Sequence, residues 1–122
     1  MIKTKKLNVS IGDVAILNDV DMEIPKGEIH AVMGPNGSGK STLCHAIMGN
    51  PIFSTKGDIY LNDENISSFA QDERADKGLF QSFQYPTGLS GVTLGEFATY
   101  INPEISAEEL EKLAERYRVS EF

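Results

Sequence analysis

The chain has 122 residues, with 11 basic and 18 acidic side chains and a formal net charge of −7. That length allows one domain at most, with a core, since a chain of this size buries roughly two-thirds of its unfolded surface. The charge argues against a broad nucleic-acid-binding face, which needs clustered Lys and Arg, and a single cysteine excludes an internal disulfide or an all-Cys metal site.

The first part of the chain reads as strands: Ile2 to Ser10, Ala15 to Leu17 and Val20 to Ile24. Asp19 and Asp21 flank Val20, and Met22 and Ile24 continue the alternation, which predicts a half-exposed antiparallel strand. Pro25-Lys26-Gly27 is a turn. Glu28 to Met33 is short and mostly apolar, the pattern of a buried parallel strand, with His30 packed inside it.

Next comes Gly34-Pro35-Asn36-Gly37-Ser38-Gly39-Lys40-Ser41-Thr42, a complete nucleotide-phosphate loop of the form G-x-x-x-x-G-K-[ST]. Gly37 and Gly39 can take backbone angles closed to other residues and bring the chain close to a phosphate. Their N–H groups, with those of Lys40 and Ser41, can form an anion-binding concavity at the start of a helix, whose dipole adds to the attraction. Lys40 reaches the β- and γ-phosphates of ATP in this reading, and the Ser41 hydroxyl ligands Mg²⁺. Strand, glycine loop and helix stand in the required order.

Ser41 to Met48 reads as that helix, with Leu43, Ala46 and Ile47 on one face, Cys44 a small packed residue and Gly49 the stop. Asn50 to Gly57 reads as a polar loop, Asp58 to Leu61 as a strand and Asn62-Asp63 as a turn. Ser68 can cap a helix from Phe69 to about Lys77, with Gln71 reaching back and Gly78 ending it. Leu79 to Phe83 has a strand's length, and Gln84-Tyr85-Pro86 breaks the pattern. Beyond Gly91 the period turns helical. Thr93 with Glu96, and Ser106 with Glu109, form capping boxes before two amphipathic helices. No apolar run reaches membrane-spanning length and no signal peptide is visible, so the expectation is a cytoplasmic chain without direct membrane insertion.

Taken together, these residues resemble the N-terminal half of an ABC-type ATPase, and within that class the SufC-type ATPases of the iron–sulfur cluster assembly (SUF) system. The stretches that carry the resemblance are Leu7 to Ser10, Ile16-Leu17, Pro25 to Leu43, Met48-Gly49, Asp72-Glu73-Arg74-Ala75 and Phe83-Gln84-Tyr85-Pro86. The phosphate loop alone indicates only a P-loop class; His30, the Asp72 to Ala75 helix and the Gln84-Tyr85-Pro86 segment point to SufC.

The resemblance implies an α/β fold: a P-loop NTPase core with an antiparallel β subdomain over residues 1–92, then the start of a helical subdomain over 93–122. It implies that Gln84 belongs to a Q-loop and touches Mg²⁺ or the attacking water. It also implies SufB/SufD-like scaffold proteins as partners and an ATP-dependent dimer of the full-length protein. The family's adenine-stacking aromatic aligns with Ile11, so an aliphatic contact would replace stacking.

The family's signature motif, Walker B aspartate, catalytic glutamate and switch histidine have no counterpart in these 122 residues. The expectation is therefore a truncated chain, inactive by itself, whose residues Ile29, Ala31, Val32, Leu79 and Phe80 face an open sheet edge. Two other readings share the loop: the ATPase subunit of an ABC transporter, and a non-enzymatic nucleotide-binding module.

Overall fold

The computed structural model describes residues 1–82, 84–85 and 90–118. They fall into two compact units, Met1–Ser82 and Phe83–Phe122.

In the first unit, β1 (Ile2–Ile11), β2 (Val14–Ile24), β3 (Ser54–Leu61) and β4 (Glu64–Asn65) form an antiparallel sheet in the order β2-β1-β3-β4. The two runs expected on either side of Asn18 are one strand, β2. Its alternation is as the sequence implies: Val20, Met22 and Ile24 are half-buried, and Asp19, Asp21 and Glu23 are exposed.

The ladder is bulged rather than ideal. Between Thr4↔Met22 and Leu7↔Val20 the register gains a residue on β1, and between Leu7↔Val20 and Val9↔Leu17 it gains one on β2. Lys6 and Asp19 supply these bulges with φ of 46° and 48°. The Asn8 amide ties them together: its Nδ2 donates to Lys6 O at 2.8 Å and to Asp19 Oδ1 at 3.0 Å, and its Oδ1 accepts from the Asp19 N–H at 3.1 Å.

The sheet extends further than the sequence suggests, because Ser54 to Lys56 pair with β1 through backbone groups alone. Gly57 (φ 97°) permits the crossing beside the Lys6 bulge, where a Cβ would stand 2.2 Å from Lys6 O. The Asn62-Asp63 turn is present, both residues having positive φ.

Helix α1 (Lys40–Ile47) packs on the sheet. The core joins Leu7 and Val9 of β1, Leu43, Ala46, Ile47 and Met48 at α1, and Ile59 of β3 with Ile66 and Leu79. Thr4 is buried too, its hydroxyl donating to Val20 O at 2.9 Å.

Helix α2 (Gln71–Asp76) starts two residues later than Ser68 would place it. Phe69 N–H donates to Ile66 O, so the chain is still turning there, and the Glu73 carboxylate then accepts from Ala70 N–H at 2.7 Å. Gly78 (φ 90°) ends the helix as expected.

Two expected strands do not form. Glu28 to Met33 and Leu79 to Ser82 have no ladder partner, and an extended run becomes a strand only when another pairs with it. Ile29 is 99% exposed, Met33 88% and Phe80 86%, as an open edge implies. Leu79 departs from that expectation: its N–H donates to Arg74 O and its side chain lies in the core. His30 is not packed either. It is exposed, with Nε2 2.8 Å from Glu28 Oε2. Phe83, the last residue of the expected second strand, lies outside the described residues, as does Pro86.

In the second unit, α3 (Leu94–Ile101) and α4 (Ala107–Tyr117) start at the caps read from the sequence. Thr93 Oγ1 accepts from Glu96 N–H at 3.2 Å while the Glu96 carboxylate accepts from Thr93 N–H at 2.8 Å; Ser106 and Glu109 repeat the arrangement. Among the described residues no helix is long and apolar enough to cross a membrane.

Candidate functional site

The stretch Gly34 to Thr42 leaves the exposed 28–33 run and enters the first turn of α1. Gly37 takes φ of 82° and Gly39 of 90°, so the two glycines that the motif needs are in the left-handed region. Gly39 is the residue that precedes α1, with ψ of 7°, and no side chain caps the helix there. No acidic residue lies in the first turn. The N-terminal N–H groups of a helix have no intrahelical partner, and here no side chain of the cap competes for them. Lys40 opens the helix, and His45 is the basic residue of its last turn.

Within the loop, Ser38 N–H donates to Pro35 O at 3.3 Å, and a Cβ on Gly34 would meet Ser38 Oγ at 2.9 Å. That contact is with a rotatable hydroxyl that can turn aside, whereas Gly37 is required by its angle alone, since nothing stands within 4 Å of a Cβ there. The Lys40 ammonium bends back over the loop and donates to Gly34 O at 2.8 Å and Pro35 O at 2.7 Å. Ser41 is exposed and Thr42 half-buried on the first turn. Pro35, Asn36, Gly37 and Ser38 are exposed as well, so the loop presents its backbone to solvent.

A hollow of about 280 Å³ opens at this point, lined by Leu17, Val32, Met33, Gly34, Pro35, Ser38, Gly39, Lys40 and Leu43. A larger, open concavity of about 660 Å³ lies on the sheet, lined by residues of β1, β2 and β3 and by none of the loop. There Lys3 pairs with Glu23 at 2.5 Å, Asp21 accepts from the Lys6 backbone N–H at 2.6 Å and Asp58 from Asn65 Nδ2 at 2.9 Å, whereas the smaller hollow is the one that the glycine loop and Lys40 line.

The expected residues from Gly34 to Thr42 are thus gathered in one loop. Gln84 belongs to the second unit, where it and Tyr85 are exposed. Ile11 ends β1 and is 44% exposed. Cys44 is exposed on α1, a correction to the packed position expected, because the buried stripe is Leu43, Ala46 and Ile47. Among the described residues no cluster of three His, Cys, Asp or Glu could hold a metal ion. A magnesium ion carried in on phosphates would need only the Ser41 hydroxyl from this loop.

One residue was missed by sequence reasoning. Arg74 is 2% exposed, and its guanidinium donates to Phe69 O, Ala46 O, Ile47 O and Ser67 O at 2.7–3.1 Å. Burial lowers its pKa below the usual guanidinium value. No charge pattern points to it, because its partners are backbone carbonyls and none is a carboxylate.

A left-handed glycine loop leading into an uncapped helix has the geometry of a phosphate-binding loop. Residues 17–122 match the protein family described as ABC transporter, and the chain belongs to that family. It is similar to Vegetative protein 296 of Bacillus subtilis (strain 168), 52% identical over 94 residues covering 76% of this chain and 36% of that protein. It is 46% identical over 98 residues to the probable ATP-dependent transporter ycf16 of Pyropia yezoensis, covering 80% of this chain and 39% of that one. A probable ABC transporter ATP-binding protein of Streptococcus pyogenes serotype M3 is 47% identical over 98 residues, covering 80% and 38%. The chain thus spans well under half the length of these relatives. Its fold matches the crystal structure of a nucleotide-free ATP-binding cassette from an ABC transporter, with a TM-score of 0.68 at 28% identity, covering 92% of this chain and 45% of that one.

Proposed function

We propose that this chain is the ATP-binding part of an ABC-type ATPase and that it takes MgATP by its phosphates at residues 34–42. The observation that carries the reading is the pair of left-handed glycines, 37 and 39, delivering an exposed backbone to an uncapped helix start with Lys40 Nζ folded over it. Backbone N–H groups and the helix dipole attract the phosphates. Lys40 exchanges its carbonyl partners for the β- and γ-phosphates. Ser41 holds the magnesium ion, which neutralises phosphate charge. In this reading residues 1–92 are the nucleotide-binding part and 93–122 begin the helical subdomain.

The names of the relatives favour the ATPase subunit of an ABC transporter, working in the cytoplasm with membrane partners. A SufC-type ATPase serving SufB/SufD-like scaffolds is the second reading, supported by Asp72-Glu73-Arg74-Ala75 and Phe83-Gln84-Tyr85-Pro86. Capture from a lysate on the tagged chain separates them: scaffold proteins favour the second, permease subunits the first.

Replacing Lys40 by Ala tests the site. A charge-assisted hydrogen bond is worth ~1.5–3 kcal/mol, so MgATP affinity by calorimetry falls roughly ten- to a hundredfold. Equal affinity in the two proteins would defeat the proposal.

A further inference from the structure

We infer that Arg74 is a positioning residue for the phosphate-loop helix, fastening the far end of α1 to α2. The inference rests on the reading of residues 34–42 as a phosphate site and adds a coupling that the reading does not contain.

The orphan carbonyls at the end of a helix need donors from outside it. At α1 some come from the chain itself: Gly49 N–H donates to Ala46 O and Asn50 N–H to His45 O, both at 3.0 Å. Arg74 adds the rest across 27 and 28 residues of sequence, with Nη1 at 2.7 Å from Ile47 O and 3.1 Å from Ala46 O. Its other donors reach the turn that enters α2: Nε to Phe69 O and Nη2 to Ser67 O, both at 3.0 Å.

One rigid, planar group thus bonds two segments at once. A cation also belongs at this end of α1, where the helix dipole is negative, while the loop sits at the positive end. The seat is made for this side chain. Gly49, at φ 79°, ends the helix turn, and a Cβ there would stand 2.9 Å from Arg74 Nε. Lysine has no planar fork and cannot satisfy four carbonyls lying in different directions.

The consequence is mechanical. Phosphate capture orders the first turn of α1, and α1 has only eight residues, so it moves as a rod. Through Arg74 that ordering reaches α2 and the Lys77 to Ser82 stretch that leaves it. Coupling carried by a packed, hydrogen-bonded element needs this kind of physical continuity.

Hydrogen exchange on the full 122-residue chain, with and without MgATP, tests this. In the wild type, MgATP slows exchange at the amides of α1 and also at those of Arg74 to Leu79. In Arg74→Lys, with sheet amides protected as in the wild type, protection survives on α1 and is lost on α2, and MgATP affinity falls about fivefold. Lys77→Ala, which removes the surface pair with Glu64 and the ammonium over the Phe69 ring but none of the Arg74 hydrogen bonds, behaves as the wild type. Arg74→Gln, which keeps a planar donor, recovers part of the α2 response. Protection of α2 unchanged in Arg74→Lys would overturn the inference, as would wild-type protection confined to α1. If both Arg74 variants lose the sheet protection, Arg74 is a general stabiliser and the positioning role is wrong. If MgATP protects nothing in the wild type, the phosphate-site reading falls first and this inference with it.

Discussion

Leu17 on β2 closes against Gly39 at the start of α1: a Cβ on Gly39 would stand 2.5 Å from Leu17 Cδ2, with Ile16 Cγ2 behind at 3.5 Å. The glycine is therefore held by two separate constraints, a φ of 90° and an absence of space. A non-glycine residue in that conformation costs ~1–3 kcal/mol before any clash. Gly39→Ala is expected to weaken MgATP binding at least tenfold by calorimetry. Adding Leu17→Ala returns the space but not the angle, so the double variant recovers only part of the loss. Gly37→Ala carries the angular strain alone, since nothing stands within 4 Å, and is the milder change. Wild-type affinity in Gly39→Ala would show that the loop does not work as described.

What the sequence made legible was what depends on near neighbours. The phosphate loop, the α1 stripe of Leu43, Ala46 and Ile47, and the Thr93 and Ser106 caps all follow from spacings of a few residues. The runs at 28–33 and 79–82 carried an equally good local signal, yet their state depends on a partner strand, which periodicity cannot supply. The Lys6 bulge was hidden because lysine rarely takes positive φ, and the Asp19 bulge because Asp19 reads equally well as an exposed position of the β2 alternation. Arg74 was hidden because its partners are peptide carbonyls, which every sequence offers everywhere.

Binding and turnover separate in this chain. Phosphate cradling needs the loop, whereas hydrolysis needs a group that orients water and a second acidic ligand for magnesium. The sequence after Gln84 holds no apolar run ending in Asp-Glu to supply them. The 122-residue chain, freed of contaminating ATPases, is expected to release phosphate no faster than its Lys40→Ala variant. Release clearly above that control would mean that another group in these residues activates water.

Acid should loosen the second unit through its caps. The Thr93 N–H, and then its hydroxyl, hold the Glu96 carboxylate below the usual value of 4.5, and Ser106 does the same for Glu109. A carboxylate whose folded pKa is depressed contributes stability that is present above its unfolded pKa and lost as pH falls through the folded one. Exchange protection of the first-turn amides of α3 and α4 should hold from neutral pH to about 4.5 and decline below it. Thr93→Ala and Ser106→Ala should each weaken their helix by ~0.5–2 kcal/mol at neutral pH and flatten the acid decline. A decline that is equally steep in those variants would place its origin elsewhere.

The last expectation concerns Ile29 to Met33. Ile29 is 99% exposed, Met33 88% and Val32 49%, on a segment without ladder partners. Fully burying one such side chain is worth ~1.5–3 kcal/mol, so another chain gains by covering it. Unpaired backbone N–H and C=O groups beside apolar side chains are also a template for edge pairing. The chain should therefore self-associate at micromolar concentration. Its thermal unfolding should be broad, since net domain stability is only ~5–15 kcal/mol and part of the apolar surface stays outside the core. Ile29→Lys with Met33→Lys should raise the soluble fraction several-fold in sedimentation. The unfolding midpoint should stay unchanged, because neither side chain packs against the core in the first place. A charge on an exposed extended run acts as a gatekeeper against such pairing without touching the fold. A soluble wild-type monomer that melts in one sharp transition would sink this expectation. A fall in the midpoint of the double lysine variant would show instead that the segment is packed.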